Sequence, residues 1–364
     1  MFDEVQLCPE ARQMIKHLVE DGRYDYIETG SLISIRQNIL NILVPSEEYR
    51  IQMHPMDFEE FLWATGDHST MPLARKCFEK RSPMGRYAHR DAMEAFRLYM
   101  LIGGMPQAVA AYIEKNSFDA VETRKREILN LYSEDLGKMK GDSSGKCKRL
   151  FANVPGLLSK HDKTFKAGSV KRNSRKSDYL DAVNALEESK IVNVCRRCSD
   201  PGPAMGLGSD EEGFKMYMAD TGLLFTAAFG SNLGGRDEVY DMILRDKMGI
   251  NEGMFLENVV AQELKSSGHD LYYDRFRTDD SVNTQEVDFI LADGGKICPV
   301  EVKSGQSSRH ASLDRFIRKY GRRIGEAYVV HTKDLRVDGD LTYVPTYMAS
   351  FIVSDAPTEI LRRR

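Results

Sequence analysis

The segment Gln285-Glu286-Val287-Asp288-Phe289-Ile290 and the nearby Glu301-Val302-Lys303 place ionisable side chains on what read as successive strands. In a strand, alternate side chains share a face. Glu301 and Lys303 therefore point one way and Val300 and Val302 the other, while Asp288 projects away from Val287 and Phe289. Ala292-Asp293-Gly294-Gly295 reads as the hairpin turn between the strands. Pairing across that turn brings Asp288 beside Glu301, where two carboxylates about 4 Å apart repel by roughly 4 kcal/mol at an effective dielectric of about 20. A divalent cation held by oxygen ligands would offset that repulsion, and an adjacent ammonium such as Lys303 would offset part of it.

Upstream, the run from Gly253 to Leu264 has a helical period, with Glu257, Val260, Ala261 and Leu264 on one stripe. A carboxylate thus lies on an apolar face. Glu257, Asp288, Glu301 and Lys303, in this order on helix, strand and strand, resemble the PD-(D/E)xK nuclease-like superfamily over roughly residues 250 to 335. The resemblance implies that Asp288 and Glu301 are metal ligands for Mg²⁺ or Mn²⁺, that Glu257 assists through water, and that Lys303 orients or activates the attacking water. Many members of that superfamily are inactive, and a fold does not by itself imply chemistry. The same residues alone also suit a strand pair with a solvated polar face. A basic run follows, with Arg309, Arg315, Arg318, Lys319, Arg322 and Arg323, which suits phosphate contacts and also suits a solvated helix face.

At the N-terminus, Phe2-Asp3-Glu4-Val5-Gln6 is followed by a helical stretch from Glu10 to Asp21, a strand at Tyr24-Asp25-Tyr26-Ile27, the polar Thr29-Gly30-Ser31 and the phrase His54-Pro55-Met56-Asp57-Phe58. This run resembles the AAA-type ATPases of bacteria and archaea that precede a domain of unknown function. The resemblance implies that Asp3 and Glu4 correspond to the Walker B pair and Ser31 to sensor 1. The phosphate-cradling loop G-x-x-x-x-G-K-[ST] belongs upstream of the Walker B strand, and none occurs downstream. Asp3, Glu4 and Ser31 are therefore expected to be relics. A truncated gene, a displaced start and a degenerate paralogue would each explain the pattern, and ATP is expected as a cofactor only together with the missing segment.

The middle of the chain, from about Met71 to Gly235, has a helical period. Ala92 to Leu101 reads as a helix ended by Gly103-Gly104, and Pro106 opens the next. A long helix is expected over roughly Ser117 to Gly137, another over Tyr179 to Leu186, then strands at Ile191-Val194 and Phe214-Met218 flanking a Gly/Pro-rich loop. Helices followed by a hairpin read as a winged helix-turn-helix. Gly103-Gly104-Met105-Pro106 and Asp220-Thr221-Gly222-Leu223-Leu224 look like phrases of the same ATPase family and of the domain that follows the ATPase. Lys163, Lys166, Lys171 and Arg172, with Arg315 and Arg318 further on, are the candidate nucleic-acid contacts. The would-be recognition helix carries Asp178, Asp181, Glu187 and Glu188, which DNA phosphates repel. An intramolecular or protein-binding role is therefore favoured for it, and any nucleic-acid affinity is expected to be sequence-independent and steeply salt-dependent.

Composition bounds the rest. The chain has 364 residues, 41% hydrophobic and 29% charged, with a net charge of −4 and six cysteines. That length supports two or three domains. There is no signal peptide and no apolar run of about eighteen residues, so a cytoplasmic protein without a membrane partner is expected. Cys195-Arg196-Arg197-Cys198 lacks further ligands at zinc-site spacing, and these read as ordinary strand or turn cysteines. The expected fold class is α/β and α: a partial AAA-type ATPase remnant over 1–70, a helical, winged-helix middle over 71–235, and a restriction-endonuclease-like α/β domain over 236–364. The expected function is that of an ATPase-derived protein whose nuclease-like domain binds or cleaves nucleic acid with Mg²⁺. The alternative is a non-catalytic interaction or regulatory protein with a degenerate nuclease-like domain and a protein partner.

One outcome follows for nucleotide binding. Without the amides and lysine that hold the β- and γ-phosphates, the 364-residue chain should neither bind ATP tightly nor hydrolyse it. Calorimetry with ATP and Mg²⁺ checks this, and micromolar binding would contradict it.

Overall fold

The computed structural model describes residues 1–3, 5, 9–30, 49, 51–138, 143–229, 236–245, 252–278, 281–304 and 310–353. Its helices up to the first strand are α1 (Pro9–Asp21), α2 (Phe58–Thr65), α3 (Thr70–Glu79), α4 (Arg86–Ile102), α5 (Pro106–Lys115), α6 (Phe118–Gly137), α7 (Ser143–Leu158) and α8 (Leu180–Glu188). Then follow β1 (Val192–Cys198), β2 (Ser209–Met218), α9 (Thr221–Phe229), α10 (Arg236–Leu244) and α11 (Glu252–Ser266). The chain continues through β3 (Leu271–Thr278), β4 (Ser281–Asp293), β5 (Lys296–Val302), α12 (Ala311–Tyr320), β6 (Ala327–His331), β7 (Arg336–Asp338) and β8 (Leu341–Pro345). The molecule is thus mixed α and β, with helices packed against one mixed sheet.

Local chemistry sets several boundaries. The phrase Asp57-Phe58-Glu59-Glu60 opens α2 with a capping box: the Glu60 N–H donates to Asp57 Oδ1 at 2.8 Å and the Asp57 N–H donates to Glu60 Oε2 at 3.1 Å. Helix α4 stops at Gly103, whose φ of 85° suits glycine. Pro106 starts α5 at the position where its missing N–H costs nothing.

Among the described residues, the sheet has eight strands in the order β2-β1-β3-β4-β5-β6-β8-β7. Strands β1 and β2 pair antiparallel, and β1 pairs parallel with β3 through Cys195↔Leu271 and Arg196↔Tyr272. The hairpin anticipated as a wing is therefore an edge of the main sheet, and the sheet runs across the expected boundary at residue 235. Of the acidic residues ahead of it, Glu187 is turned toward the sheet, where both its carboxylate oxygens accept from the Arg196 guanidinium on β1 at 2.9 and 2.5 Å, while Asp178 and Asp181 are exposed. A side chain engaged in such a fork is committed to holding α8 on the sheet.

Near the N-terminus, the strand expected at Tyr24–Ile27 is not formed. Instead Phe2 and Val5 lie alongside 27–29: the Phe2 N–H donates to the Ile27 carbonyl at 2.8 Å, the Thr29 N–H to the Phe2 carbonyl at 2.9 Å, and the Val5 N–H to the Thr29 carbonyl at 3.0 Å. Phe2 and Glu28 form a parallel bridge.

Helix α11 lies at the centre, with every residue from Met254 to Leu264 buried. Its polar side chains find partners on neighbouring elements. Asn258 Oδ1 accepts from the Met218 N–H at 2.9 Å, and Gln262 Oε1 accepts from the Thr221 N–H at 2.8 Å and its hydroxyl at 2.9 Å. Gln262 Nε2 donates to the Tyr99 hydroxyl at 2.8 Å. The phrases singled out in the sequence meet beside this helix. Fully buried Asp220 accepts from the Gly104 N–H at 2.5 Å and from the Leu223 N–H at 2.7 Å, while the Met56 N–H donates to the Gly104 carbonyl at 2.8 Å. A Cβ on Gly222 would stand 2.4 Å from the Ile102 carbonyl oxygen, and one on Gly104 would stand 2.0 Å from that of Met56. Glycine is required at both positions because backbones touch there.

Glu263 anchors the α2 end of this arrangement. Its Oε1 accepts from the Phe58 N–H at 3.1 Å and from the Tyr99 hydroxyl at 3.0 Å, while its Oε2 is buried without a partner. Burial, reinforced by the Asp57 carboxylate, pushes its pKa up to about 8 from 4.5. A raised folded-state pKa gives stability that is whole below the unfolded value and is lost as pH rises to the folded one. Glu263→Gln keeps the shape without the titration. The melting temperature of the wild type relative to this variant should therefore fall between about pH 5 and about pH 9, and a difference constant with pH would refute the assignment.

Candidate functional site

Strand register builds the site. The pair Phe289↔Val300 in the β4–β5 ladder places Asp288 next to Glu301. Phe289 and Val300 are fully buried in the core cluster that includes α11, and Val287 in a smaller cluster with Ile290 and Phe316. Asp288 Oδ2 accepts from the Val302 N–H at 2.8 Å, and Glu301 Oε1 accepts from Lys303 Nζ at 2.6 Å. The Lys303 N–H donates to the Val330 carbonyl at 2.8 Å, which fixes the end of β5 against β6. Glu257 enters from α11, 5% exposed. The structure thus brings together Glu257, Asp288, Glu301 and Lys303.

Three further residues join the cluster, and the sequence reading assigned none of them. Lys215 on β2 is fully buried, and its Nζ lies 2.7 Å from Glu286 Oε1, 3.4 Å from Glu257 Oε1 and 3.9 Å from Asp288 Oδ1. It also stands 4.9 Å from the centre of the Tyr273 ring, a cation–π distance. Glu286 shares its face with Asp288 by the strand period and lies 3.5 Å from the Arg275 guanidinium. Tyr217, two residues past Lys215, donates its hydroxyl to Glu257 Oε1. The available signal was a lysine between Phe214 and Met216, within the mostly apolar end of the strand. What the sequence lacked was the remote pairing that lays β2 and β1 beside β3.

Lys163 approaches from the loop before β1 and forms an ion pair with Glu257 Oε2. Its neighbour Asp162 accepts from Arg275 at 3.1 Å and pairs with Lys166 at 2.8 Å. Phe165, fully buried, anchors the loop by donating its N–H to the Phe214 carbonyl at 2.8 Å and by stacking on the Phe214 ring at 4.8 Å.

The charges answer one another. Burial disfavours the Lys215 ammonium, yet Glu257, Glu286 and Asp288 around it hold its pKa well above the usual lysine value. Burial would likewise raise Glu257, but Lys215 and Lys163 overcome it and pull the carboxyl down to about 2. Glu301 goes the other way: burial and the Asp288 carboxylate lift it to about 8 against the pull of Lys303. Burial and Glu257 raise Asp288 to about 6. The result is a low-dielectric cluster whose negative groups are met by ammonium groups from three parts of the chain.

The fit to a divalent cation can be judged from these donors. Glu301 Oε2 is buried without a hydrogen-bond partner, as a ligand oxygen would be. The other expected ligand, Asp288, has one oxygen on a backbone amide and the other facing an ammonium. Among the described residues, no group of three or more His, Cys, Asp or Glu side chains has a metal-holding arrangement. In this arrangement both expected ligands meet hydrogen-bond donors or ammonium groups of the chain itself.

The other expected site residues are placed as follows. Asp3 accepts a hydrogen bond from the Thr29 hydroxyl, while Glu4 and Ser31 lie outside the described residues. Lys163 is turned inward and Lys166 is paired with Asp162, whereas Lys171 and Arg172 are exposed. Arg315 on α12 donates to Gln285 Oε1 at 3.1 Å, and Arg318 is exposed. Cys195 and Cys198 are buried thiols within β1. Among the described residues, no helix is long and apolar enough to cross a membrane.

Comparison with known families divides the chain into three matched stretches. Residues 1–62 match an AAA domain, residues 93–234 match a domain of unknown function, DUF8612, and residues 252–348 match a second one, DUF4143. The phrase Asp220-Thr221-Gly222-Leu223-Leu224 falls in the first of these two domains. No curated protein and no solved structure matches the chain significantly. The chain is related at its N-terminus to AAA-type ATPases, and two domains of unknown function follow that relationship along the sequence.

Proposed function

We propose that this ATPase-related protein uses its nuclease-like α/β module as a non-cleaving interaction or regulatory unit. The observation that carries the reading is that each carboxylate of the cluster is already engaged within the chain. Glu257 is held by Lys163, Lys215 and Tyr217, Glu286 by Lys215 and Arg275, Asp288 by the Val302 amide, and Glu301 by Lys303. A nuclease of this type needs its carboxylates to face a hard cation and its lysine to face water. Here Lys303 faces Glu301 instead. The loop that carries Lys163 spends one expected phosphate contact on Glu257 and another, Lys166, on Asp162.

One observation favours the second reading, a Mg²⁺- or Mn²⁺-dependent nuclease: the unpartnered Glu301 Oε2. On that reading Asp288 and Glu301 would hold the ion, Lys303 would serve the water, and Glu257 would assist.

Cleavage assays separate the two. Single- and double-stranded DNA and RNA are incubated with the full chain in millimolar Mg²⁺ or Mn²⁺, beside Asp288→Asn and Lys303→Ala. The interaction reading expects wild type and variants to show the same background. Cleavage by wild type that drops by about a hundredfold or more in both variants, the usual scale for losing a metal ligand or a general acid–base group, would overturn it in favour of the nuclease.

A further inference from the structure

The buried ammonium of Lys215 is unusual in a way the resemblance does not explain. The expected lysine of the motif, Lys303, is present and accounted for by Glu301. Lys215 is an additional cation delivered from a different strand, opposite Cys195 in the β1–β2 register, and it is completely shielded from solvent. An isolated ammonium at such depth would cost several kcal/mol, so it persists only where fixed negative charge surrounds it. That charge comes from elements far apart in sequence: Glu257 on α11, and Glu286 and Asp288 on β4. Its Nζ makes its shortest contact with Glu286 at 2.7 Å and reaches the other two at 3.4 and 3.9 Å. The Tyr273 ring closes the remaining side.

We propose that Lys215 is the resident cation of this site, its ammonium standing among Glu257, Glu286 and Asp288 where a divalent ion would otherwise be needed to hold these carboxylates together. The inference rests on the non-cleaving reading and deepens it. An ammonium linked covalently to β2 cannot be lost to chelation or diluted away, so the charge balance of the cluster belongs to the fold and not to the medium. It also closes the β2 edge of the sheet onto α11, because the salt links run from β2 to helix and to β4 at once. A consequence is that the wild-type protein gains nothing from a divalent ion, whereas a chain without the Lys215 charge leaves three carboxylates to Lys163 and Arg275 alone.

The test uses the full chain and Mn²⁺ as the probe. Thermal melts are recorded for wild type, Lys215→Ala, Lys215→Gln and Lys215→Arg, with and without Mn²⁺ at matched ionic strength, and Mn²⁺ binding is followed by electron paramagnetic resonance. Wild type and Lys215→Arg are expected to be indifferent to Mn²⁺. Lys215→Ala and Lys215→Gln are expected to melt lower and to recover part of the loss with Mn²⁺, binding it at least about tenfold more tightly than wild type. Ligand binding to the folded state alone produces that recovery. If Lys215→Ala does not fold, Lys215→Gln, which keeps nearly the same length without the charge, gives the same readout. Two results would overturn the proposal: a Mn²⁺-dependent rise in the melting temperature of wild type, or neutralised variants as indifferent to Mn²⁺ as wild type. Neither readout involves cleavage, so a failure here leaves the non-cleaving reading standing, and metal-dependent cleavage by wild type would remove that reading on its own.

Discussion

Helix α11 has no solvent-facing side between Met254 and Leu264, and its buried polar side chains turn to the protein for partners, with Glu263 Oε2 alone left without one among them. A buried amide or carboxylate left alone costs more than a made hydrogen bond returns. The rest of the molecule is arranged around that requirement. Asn258 and Gln262 stitch the helix to the end of β2 and the start of α9, Glu263 ties it to α2 and α4, and Glu257 reaches the sheet. Four side chains on one helix thus specify where four other elements stand.

The carboxylate cluster obeys the same rule with full charges. In the interior, attraction between an ammonium and a carboxylate is strong, but so is the cost of drying both. The pair is tolerated only when further hydrogen bonds complete the shell. Tyr217, the Val302 amide and the Tyr273 ring supply those completions around Glu257, Asp288 and Lys215. Glu301 is the exception, with one oxygen unanswered. Burial and the Asp288 carboxylate raise its pKa to about 8 against the pull of Lys303.

Much of the local structure was legible. The period of the 253–264 run is seen as α11, the Asp293–Gly295 turn as the β4–β5 connection, and Gly103 and Pro106 as the stop and start of α4 and α5. Those features depend on residues a few positions apart. The proximity of Asp288 to Glu301 was legible for the same reason, since a short hairpin fixes its own register. Lys215 and Lys163 were not legible as members of the site, because their positions depend on the parallel pairing of β1 with β3 and on a loop pinned by Phe165. Nothing in a single sequence marks which edge of a sheet a distant hairpin will join. Lys215 and Tyr217 alternate with apolar neighbours, which puts polar groups on one face of a buried stretch of β2. That pattern becomes interpretable once Glu257 is seen to face it. The two strands read as a wing do pair as a hairpin, but long-range pairing makes that hairpin an edge of the main sheet.

The contact among Met56, Gly103, Gly104 and Gly222 has a mechanical meaning. Flexible side chains act as cushions: when one element shifts, rotamers adjust and the neighbour stays where it was. At this junction main chain meets main chain, with no room even for a methyl group, and Asp220 clamps the gap with hydrogen bonds on both sides. A joint without cushions behaves as a hard bearing. Residues 54–58, which lead from the ATPase-like part into α2, press through it toward α9, and α9 is stitched in turn to α11. The stiffness of that path is set by glycines, so a single added methyl group would change how firmly the two ends of the chain are geared together.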